Sequence, residues 1–330
     1  MAAAPYPGEM SVVICAYTLD RWPDLQAAVK SVLDQQHTVE RVIVVIDHNP
    51  ELLDRAQIRW PAIDTTASGA VVQVVASRGL LGLSGARNTG VAVATTEIVA
   101  FLDDDAVADP TWTQWLLAPY SDQDVIACGG AAVPALDGRR PRWWPLEFDW
   151  VVGCSYVGLP SRQAEVRNLI GANMSLRRQA AVDIGGFVEG IGRVGSRPLG
   201  CEETDLFIRL SRRWPHTRVV YEPRALVHHR VPTARLTWRY YRARCFAEGL
   251  SKAKVAAHVG RDRALASERS YVCRVLPRAV ARACLGEGDA GNASQAIAIS
   301  FGLLVTTAGY ASGHLAAIRP PFSPTKKVAA

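Results

Sequence analysis

Residues 98–105 read Ile-Val-Ala-Phe-Leu-Asp-Asp-Asp, and no other stretch limits the possible folds of this chain so tightly. The apolar run has the length and β-branching of a buried strand. The three carboxylates that end it repel one another unless water or a cation neutralises them. One reading is a solvated acidic turn, the usual fate of short acidic runs. The other starts from position, because open α/β sheets bind their ligands at the carboxyl ends of their strands. Hard oxygen donors there suit Mg2+ or Mn2+, which are held by one or two carboxylates together with substrate phosphates.

Three further runs of strand type precede this one, at 11–16 (SVVICA), 41–46 (RVIVVI) and 71–75 (VVQVV). Between the first two, Leu25, Ala28, Val29, Val32 and Leu33 recur at helical spacing. A second helix is expected to open between Gly82 and Gly90 and to run to about Ala94. Strands alternating with helices predict an α/β fold with a mostly parallel central sheet and right-handed crossovers. The first strand leads into Ala16-Tyr17-Thr18-Leu19, with neither Gly-x-Gly-x-x-Gly nor a P-loop, so a nucleotide would be held in some other way. Asp47, at the end of the second strand, faces the same edge as Asp103, Asp104 and Asp105. Taken alone it reads as a turn or capping residue.

With 330 residues, 49% of them hydrophobic and 21% charged, the chain has the makings of a substantial core. The net charge of +6 is unevenly spread, with arginines recurring from 209 to 282. Such a surface suits anionic headgroups or prenyl phosphates. No nucleic-acid partner is expected, since no zinc-finger, ribonucleoprotein or helix-turn-helix signal is present. The seven cysteines are scattered without a Cys-x-x-Cys pair, which fits a reducing cytoplasm better than a disulfide framework. Residues 1–10 lack a basic segment followed by an apolar one, so a secretory leader is not expected.

Four segments, SVVICAYTLDRW, VIVVIDHNPEL, GLSGARNTGVAVATTEIVAFLDDDAVADPTW and GCEETDLFIRL, resemble in order the motifs of family 2 glycosyltransferases with the GT-A fold. The resemblance covers about residues 11–229. It implies that Ala16, Tyr17 and Asp47 contact the nucleotide base, and that Arg87 and Asn88 lie beside the diphosphate and sugar. Asp103, Asp104 and Asp105 match the Asp-x-Asp motif, with Asp103 and Asp104 near the ribose and sugar and Asp105 as the leading metal ligand. It further implies Asn173 and Arg177 as pocket contacts and places a His hereabouts on the metal or diphosphate. The adjacent pair His228-His229 offers that residue, with His229 preferred.

Glu202 and Glu203 match the family's Glu-Asp motif, whose second acid is the catalytic base. Here that position is Glu203, whose extra methylene moves the carboxylate by about 1 Å, so the base is left between Glu203 and Glu202, with Asp205 structural. An acidic first helical turn also explains the cluster without catalysis.

Residues 139–150 (RRPRWWPLEFDW) read equally as an acceptor-site loop and as a loop packed by its aromatics. Residues 125–133, 218–221 and 225–229 read as further strands. Beyond 232, residues 237–259 and 264–285 have helical patterning. Residues 292–318 carry no Asp, Glu, Lys or Arg and read either as a spanning helix or as a buried or interfacial one. The expected organisation is a tail at 1–10, a GT-A domain at 11–232, a helical and membrane-associated extension at 233–318 and a disordered tail at 319–330.

Together these readings predict an inverting, Mg2+- or Mn2+-dependent glycosyltransferase. Its donor is a nucleotide-diphosphate sugar, and its acceptor a lipid-linked or cell-envelope glycan at the cytoplasmic face of the plasma membrane. The rival readings are a non-catalytic sugar- or nucleotide-binding protein at the membrane and a nucleotidyltransferase.

Overall fold

The computed structural model describes residues 10–61, 69–195, 199–285 and 293–318. The terminal tails expected at 1–10 and 319–330 lie outside the described residues, except for Met10. The chain opens β1 (Met10–Ala16), α1 (Trp22–Leu33), β2 (Arg41–Ile46), α2 (Pro50–Arg59), β3 (Val71–Ala76), α3 (Leu83–Val93) and β4 (Ile98–Asp103). It continues with β5 (Ala106–Ala108), α4 (Trp112–Leu117), β6 (Val125–Leu136), β7 (Ala164–Glu165), β8 (Asn173–Arg177), α5 (Arg178–Asp183), α6 (Glu202–Arg213) and β9 (Arg218–Val231).

The strands form one sheet in the order β3-β2-β1-β4-β8-β6-β9-β5, with β7 paired to β9. β1 lies between β2 and β4 and pairs in parallel with both, aligning Ala16 with Ile46 and Cys15 with Asp103. The chain therefore moves outward from β1 to β3 and then returns to the other side of β1. That reversal opens a crevice at the carboxyl ends of β1 and β4, where the Asp triplet stands.

Alternation along the strands supplies both faces of the core. Val12, Ile14, Val42, Val44, Ala100 and Leu102 pack with α1 and α4. Val13, Ile43, Val45, Val99 and Phe101 pack with α3, α5 and α6. Gly90 lets α3 lie close to β1, since a β-carbon there would sit 2.4 Å from Val13 Cγ1.

Beyond β4 the sheet becomes mixed, because β8 runs antiparallel to both β4 and β6. The two strands expected at 218–221 and 225–229 are one, β9, and the intervening Glu222-Pro223-Arg224 is absorbed by a register shift opposite Gly129–Ala131 of β6. A β-carbon at Gly130 would lie 1.8 Å from the Ala225 carbonyl oxygen, so this irregular pairing needs glycine.

After β9 come α7 (Trp238–Val259), α8 (Arg261–Ala264), α9 (Ala266–Ser270), α10 (Leu276–Leu285) and α11 (Ala293–Ile318). The helix expected at 264–285 runs without interruption from Ala266 to Leu285, with a π-helical turn at Tyr271–Val275 inside it. α11 is the one described helix long and apolar enough to cross a bilayer by length and composition. The 139–150 segment folds inward: Trp144 and Phe148 are buried with Tyr241, Cys245 and Ile299, and Trp143 stacks on Trp238 at 3.9 Å between ring centroids. Its aromatics therefore build the core that joins the sheet to the C-terminal helices.

Candidate active site

Asp47, at the carboxyl end of β2, is buried and accepts hydrogen bonds from Gly82 N at 3.0 Å and from the His48 ring at 2.8 Å. This ties the β2 end to the loop that opens α3. Ala16 and Tyr17 follow β1, and Asn49 Nδ2 donates to the Tyr17 carbonyl at 3.0 Å.

The three aspartates point in different directions. Asp103 is partly exposed and lies 3.4 Å from Arg87 Nη2. Asp104 is buried and accepts from Arg21 Nη1 at 2.8 Å, while its Oδ2 has no hydrogen-bond partner. Burial and the adjacent Asp105 carboxylate push Asp104 up to about 7. Asp105 is buried among cations, with His229 Nε2 and Arg21 Nη1 each at 3.1 Å and Arg235 Nη2 at 3.4 Å. Burial works against its charge, but His229, Arg21 and Arg235 outweigh that and hold its carboxyl well below the usual range. Of the histidine pair, His229 is buried and faces Asp105, whereas His228 is exposed.

Donor atoms of Asp103, Asp105 and His229 lie within 4.8 Å of one another. Two carboxylates and an imidazole make a set of hard oxygen and borderline nitrogen donors, which fits Mg2+ or Mn2+.

Arg87 connects this cluster to the second acidic pair. It rises from the buried face of α3, is 2% exposed, and donates to Glu202 at 2.7 Å and to the Gly171 carbonyl at 2.9 Å. The rings of Phe101 and Phe187 flank its guanidinium at 5.7 and 5.5 Å. Glu202 is thus engaged in a buried ion pair, its Oε2 left without a partner. Glu203, the next residue, is only partly buried and has no ion pair among the described residues. Burial and the Glu202 carboxylate push it up to about 8.

Cys201 caps α6 in the left-handed region at φ +71°, a conformation uncommon for a residue with a β-carbon. Its thiol donates to buried Glu248 of α7 at 3.3 Å, and Gly200 N donates to Ser251 Oγ at 3.1 Å. α7 therefore holds the turn that aims Glu202 and Glu203. Cys201→Ala, which removes the thiol tether, is expected to lower kcat about tenfold with little change in donor KM, since small displacements of reacting groups carry large rate costs. Steady-state kinetics on the purified variant check this.

Three residues expected in the pocket have their hydrogen-bonding groups engaged within the fold. Asn173 is fully buried: its amide donates to the Ala131 and Ala225 carbonyls and accepts from Trp112 Nε1, so it fastens β8 to its neighbours. Asn88 both donates to and accepts from the backbone of Phe187, at 2.8 Å each, and so pins the Gly-Gly-Phe turn. Arg177 pairs with Glu97 at the other end of β4 from Asp103. Asp205 is buried against Arg209 and His258. Arg21 and Arg235 join the site without any local pattern in the sequence, because each reaches Asp105 from a remote loop.

The model of glycosyl transferase family 2 matches residues 11–185. This chain belongs to glycosyl transferase family 2. It is 33% identical over 245 residues, 74% of this chain and 76% of the other, to the glucosyl-dolichyl phosphate glucuronosyltransferase of Haloferax volcanii. It is 27% identical to the succinoglycan biosynthesis protein ExoM of Rhizobium meliloti, with 75% of each chain covered. Among solved structures it resembles the mannosyltransferase PcManGT of Pyrobaculum calidifontis in complex with GDP-Man and Mn2+, with TM-score 0.56 and 16% identity over 92% of this chain and 89% of that one. It also resembles GalNAc-T7 with UDP, GalNAc and Mn2+, with TM-score 0.53 and 14% identity over 83% of this chain and 57% of that one. The fold is GT-A, and the family membership makes the chain a glycosyltransferase rather than a nucleotidyltransferase.

Proposed function

We propose that this family 2 glycosyltransferase moves a sugar, with inversion, from a nucleotide-diphosphate sugar to a hydroxyl of a lipid-linked or cell-envelope glycan at the cytoplasmic membrane face. The observation that carries the reading is Arg87, one buried guanidinium linking Asp103, beside a three-donor metal site, to Glu202, beside a partly exposed Glu203. The two solved neighbours are complexes with Mn2+ and a nucleotide or nucleotide sugar. The lipid-linked acceptor rests on the relative whose name includes glucosyl-dolichyl phosphate.

In this reading Ala16, Tyr17 and Asp47 border the nucleotide base. Asp103, Asp105 and His229 would hold a divalent ion, which would supply Lewis-acid neutralisation of the diphosphate. Arg87 and Arg21 keep the carboxylates oriented. Glu203 takes the proton of the acceptor hydroxyl as that oxygen bonds to the anomeric carbon. The bond from that carbon to the diphosphate breaks on the opposite side, its electron pair leaving with the nucleoside diphosphate. A single displacement with one base inverts the anomeric configuration. The Arg87 ion pair stabilises the Glu202 carboxylate and makes it the weaker base of the two. Asn88 and Asn173 act by shaping the pocket walls.

Turnover of a panel of UDP-, GDP- and dTDP-sugars, with Mn2+ and with EDTA, tests the proposal. Metal-dependent release of one nucleoside diphosphate is expected. Nucleotide binding without turnover, even with glucosyl-lipid phosphates supplied, would instead support a non-catalytic binding protein.

The elevated Glu203 gives a pH signature. A base must be ionised to act, so acceptor kcat/KM is expected to rise about tenfold per pH unit up to about 8 and then level off. A pH–rate profile from pH 6 to about 9.5 measures it, and a flat profile there would remove Glu203 as the base.

A further inference from the structure

Helix α11 runs parallel to α7 with the backbones almost touching. A β-carbon at Gly309 would lie 2.1 Å from the Phe246 carbonyl oxygen, one at Gly249 2.1 Å from that of Thr306, and one at Gly313 2.8 Å from Ala253 Cβ. The contact persists over several turns, from Tyr241 OH on the Ala298 carbonyl to Ala253 against Gly313. α7 is in turn tied to the catalytic body, because its buried Glu248 bonds Cys201 and its Ser251 accepts from Gly200 N, while Arg244 and Lys252 of α7 pair with Glu248 along the helix.

The face of α11 turned away from α7 is uncovered, with an apolar line along it flanked by exposed Ser300, Thr307 and Ser312. Ile297 is 64%, Leu304 67% and Leu315 63% exposed. At about 100° per residue these three fall within about 20° of one line along the helix. On α7, Trp238 and Phe246 are exposed, with Arg239 and Arg242 exposed between them. Among the described residues of α7, α10 and α11 the sole carboxylate is the buried Glu248, so the exposed charge of this layer is cationic.

We propose that this layer docks on an anionic phospholipid bilayer with α11 lying in the plane of the interface rather than crossing it. The proposal deepens the membrane placement argued above and rests on it. Spanning would either strip α11 from α7 or draw Arg244, Glu248 and Lys252 toward hydrocarbon, where charged side chains are costly. An in-plane helix buries its apolar stripe among the acyl chains while neighbouring arginines meet the headgroups. A second copy of the chain meeting this face about a two-fold axis would bring the same arginine-bearing surfaces together, which opposes association.

The test uses the full chain with phosphatidylcholine vesicles and with vesicles in which phosphatidylglycerol replaces part of the lipid. Co-sedimentation is expected with the anionic vesicles, reduced by added salt and reversed by alkaline carbonate. Leu304→Gln with Leu315→Gln, and separately Arg239→Glu with Arg242→Glu, are each expected to weaken binding about tenfold or more. Equal binding to both vesicle types, or none, overturns the proposal. So does carbonate resistance, which would mean a spanning helix. A solution dimer that Leu304→Gln converts to monomer overturns it as well, in favour of a second copy. Nucleotide-sugar hydrolysis by the same variants in vesicle-free solution is expected to match the parent protein. Loss of that activity in the parent, with vesicle binding intact, would defeat the transferase reading and leave the membrane one standing.

Discussion

Glu203→Gln is expected to lower kcat by about 10²–10⁴-fold while donor binding stays within a few-fold of the parent, the range associated with removing a positioned general base. Glutamine keeps the length and one carbonyl oxygen but has no site for the proton. The fold should not suffer. A carboxyl raised from 4.5 to about 8 by burial and by Glu202 is held more comfortably protonated than charged. Its ionisation therefore costs stability, and the cost grows as pH rises from the unfolded value toward the folded one. A neutral side chain removes that cost, so the thermal midpoint of Glu203→Gln at pH 9 is expected to equal or exceed that of the parent. Kinetics and melting curves on one preparation separate a lost base from a damaged fold. Glu202→Gln is expected to behave in the opposite way: it removes the carboxylate that Arg87 engages at 2.7 Å, so it should destabilise the protein.

Arg87→Ala is expected to cost about 3–5 kcal/mol of stability, the usual penalty for breaking one side of a buried ion pair. The reason lies in what is left behind. Glu202 is 4% exposed and already has one oxygen without a hydrogen bond, so losing the guanidinium strands a buried charge. Gly171 loses the donor to its carbonyl, and Phe101 and Phe187 lose the cation between them. Arg87→Lys cannot span Glu202, Gly171 and Asp103 together and is expected to fall between the two. Denaturant unfolding checks the size, and the double variant Arg87→Met with Glu202→Gln supplies the control. Removing both charges should restore part of the stability, since the penalty comes chiefly from the orphaned partner.

The strand and helix alternation of residues 11–103 was readable because a two-residue period and a three-to-four-residue period are local properties of a chain. The same locality placed the Asp triplet at a strand end, and strand order then made that end the crevice. Long side chains escape such reading. Arg21 reaches Asp104 across 83 positions and Arg235 reaches Asp105 across 130, and no periodicity records either contact. Asn173 shows the converse: an amide in a motif resembling a sugar pocket makes two hydrogen bonds to sheet carbonyls and accepts one from Trp112 of α4. Glu222-Pro223-Arg224 has the composition of a turn, yet β9 runs through it, because Gly130 on the neighbouring strand lets the irregular pairing continue. The tether from Cys201 to Glu248 joins residues 47 positions apart and links two segments that the sequence offered as separate domains.

The most direct test of the whole account is calorimetric titration of Mn2+ into the protein, with a nucleoside diphosphate present, for the parent chain, Asp105→Asn and His229→Gln. One Mn2+ per chain is expected in the parent, tightened by the nucleotide, with a loss of about tenfold or more in affinity in each variant and the fold retained. Unchanged Mn2+ affinity in both variants would contradict it, and would mean that the cluster of Asp103, Asp105 and His229 is an internal ion pair rather than the metal site on which the proposed transfer depends.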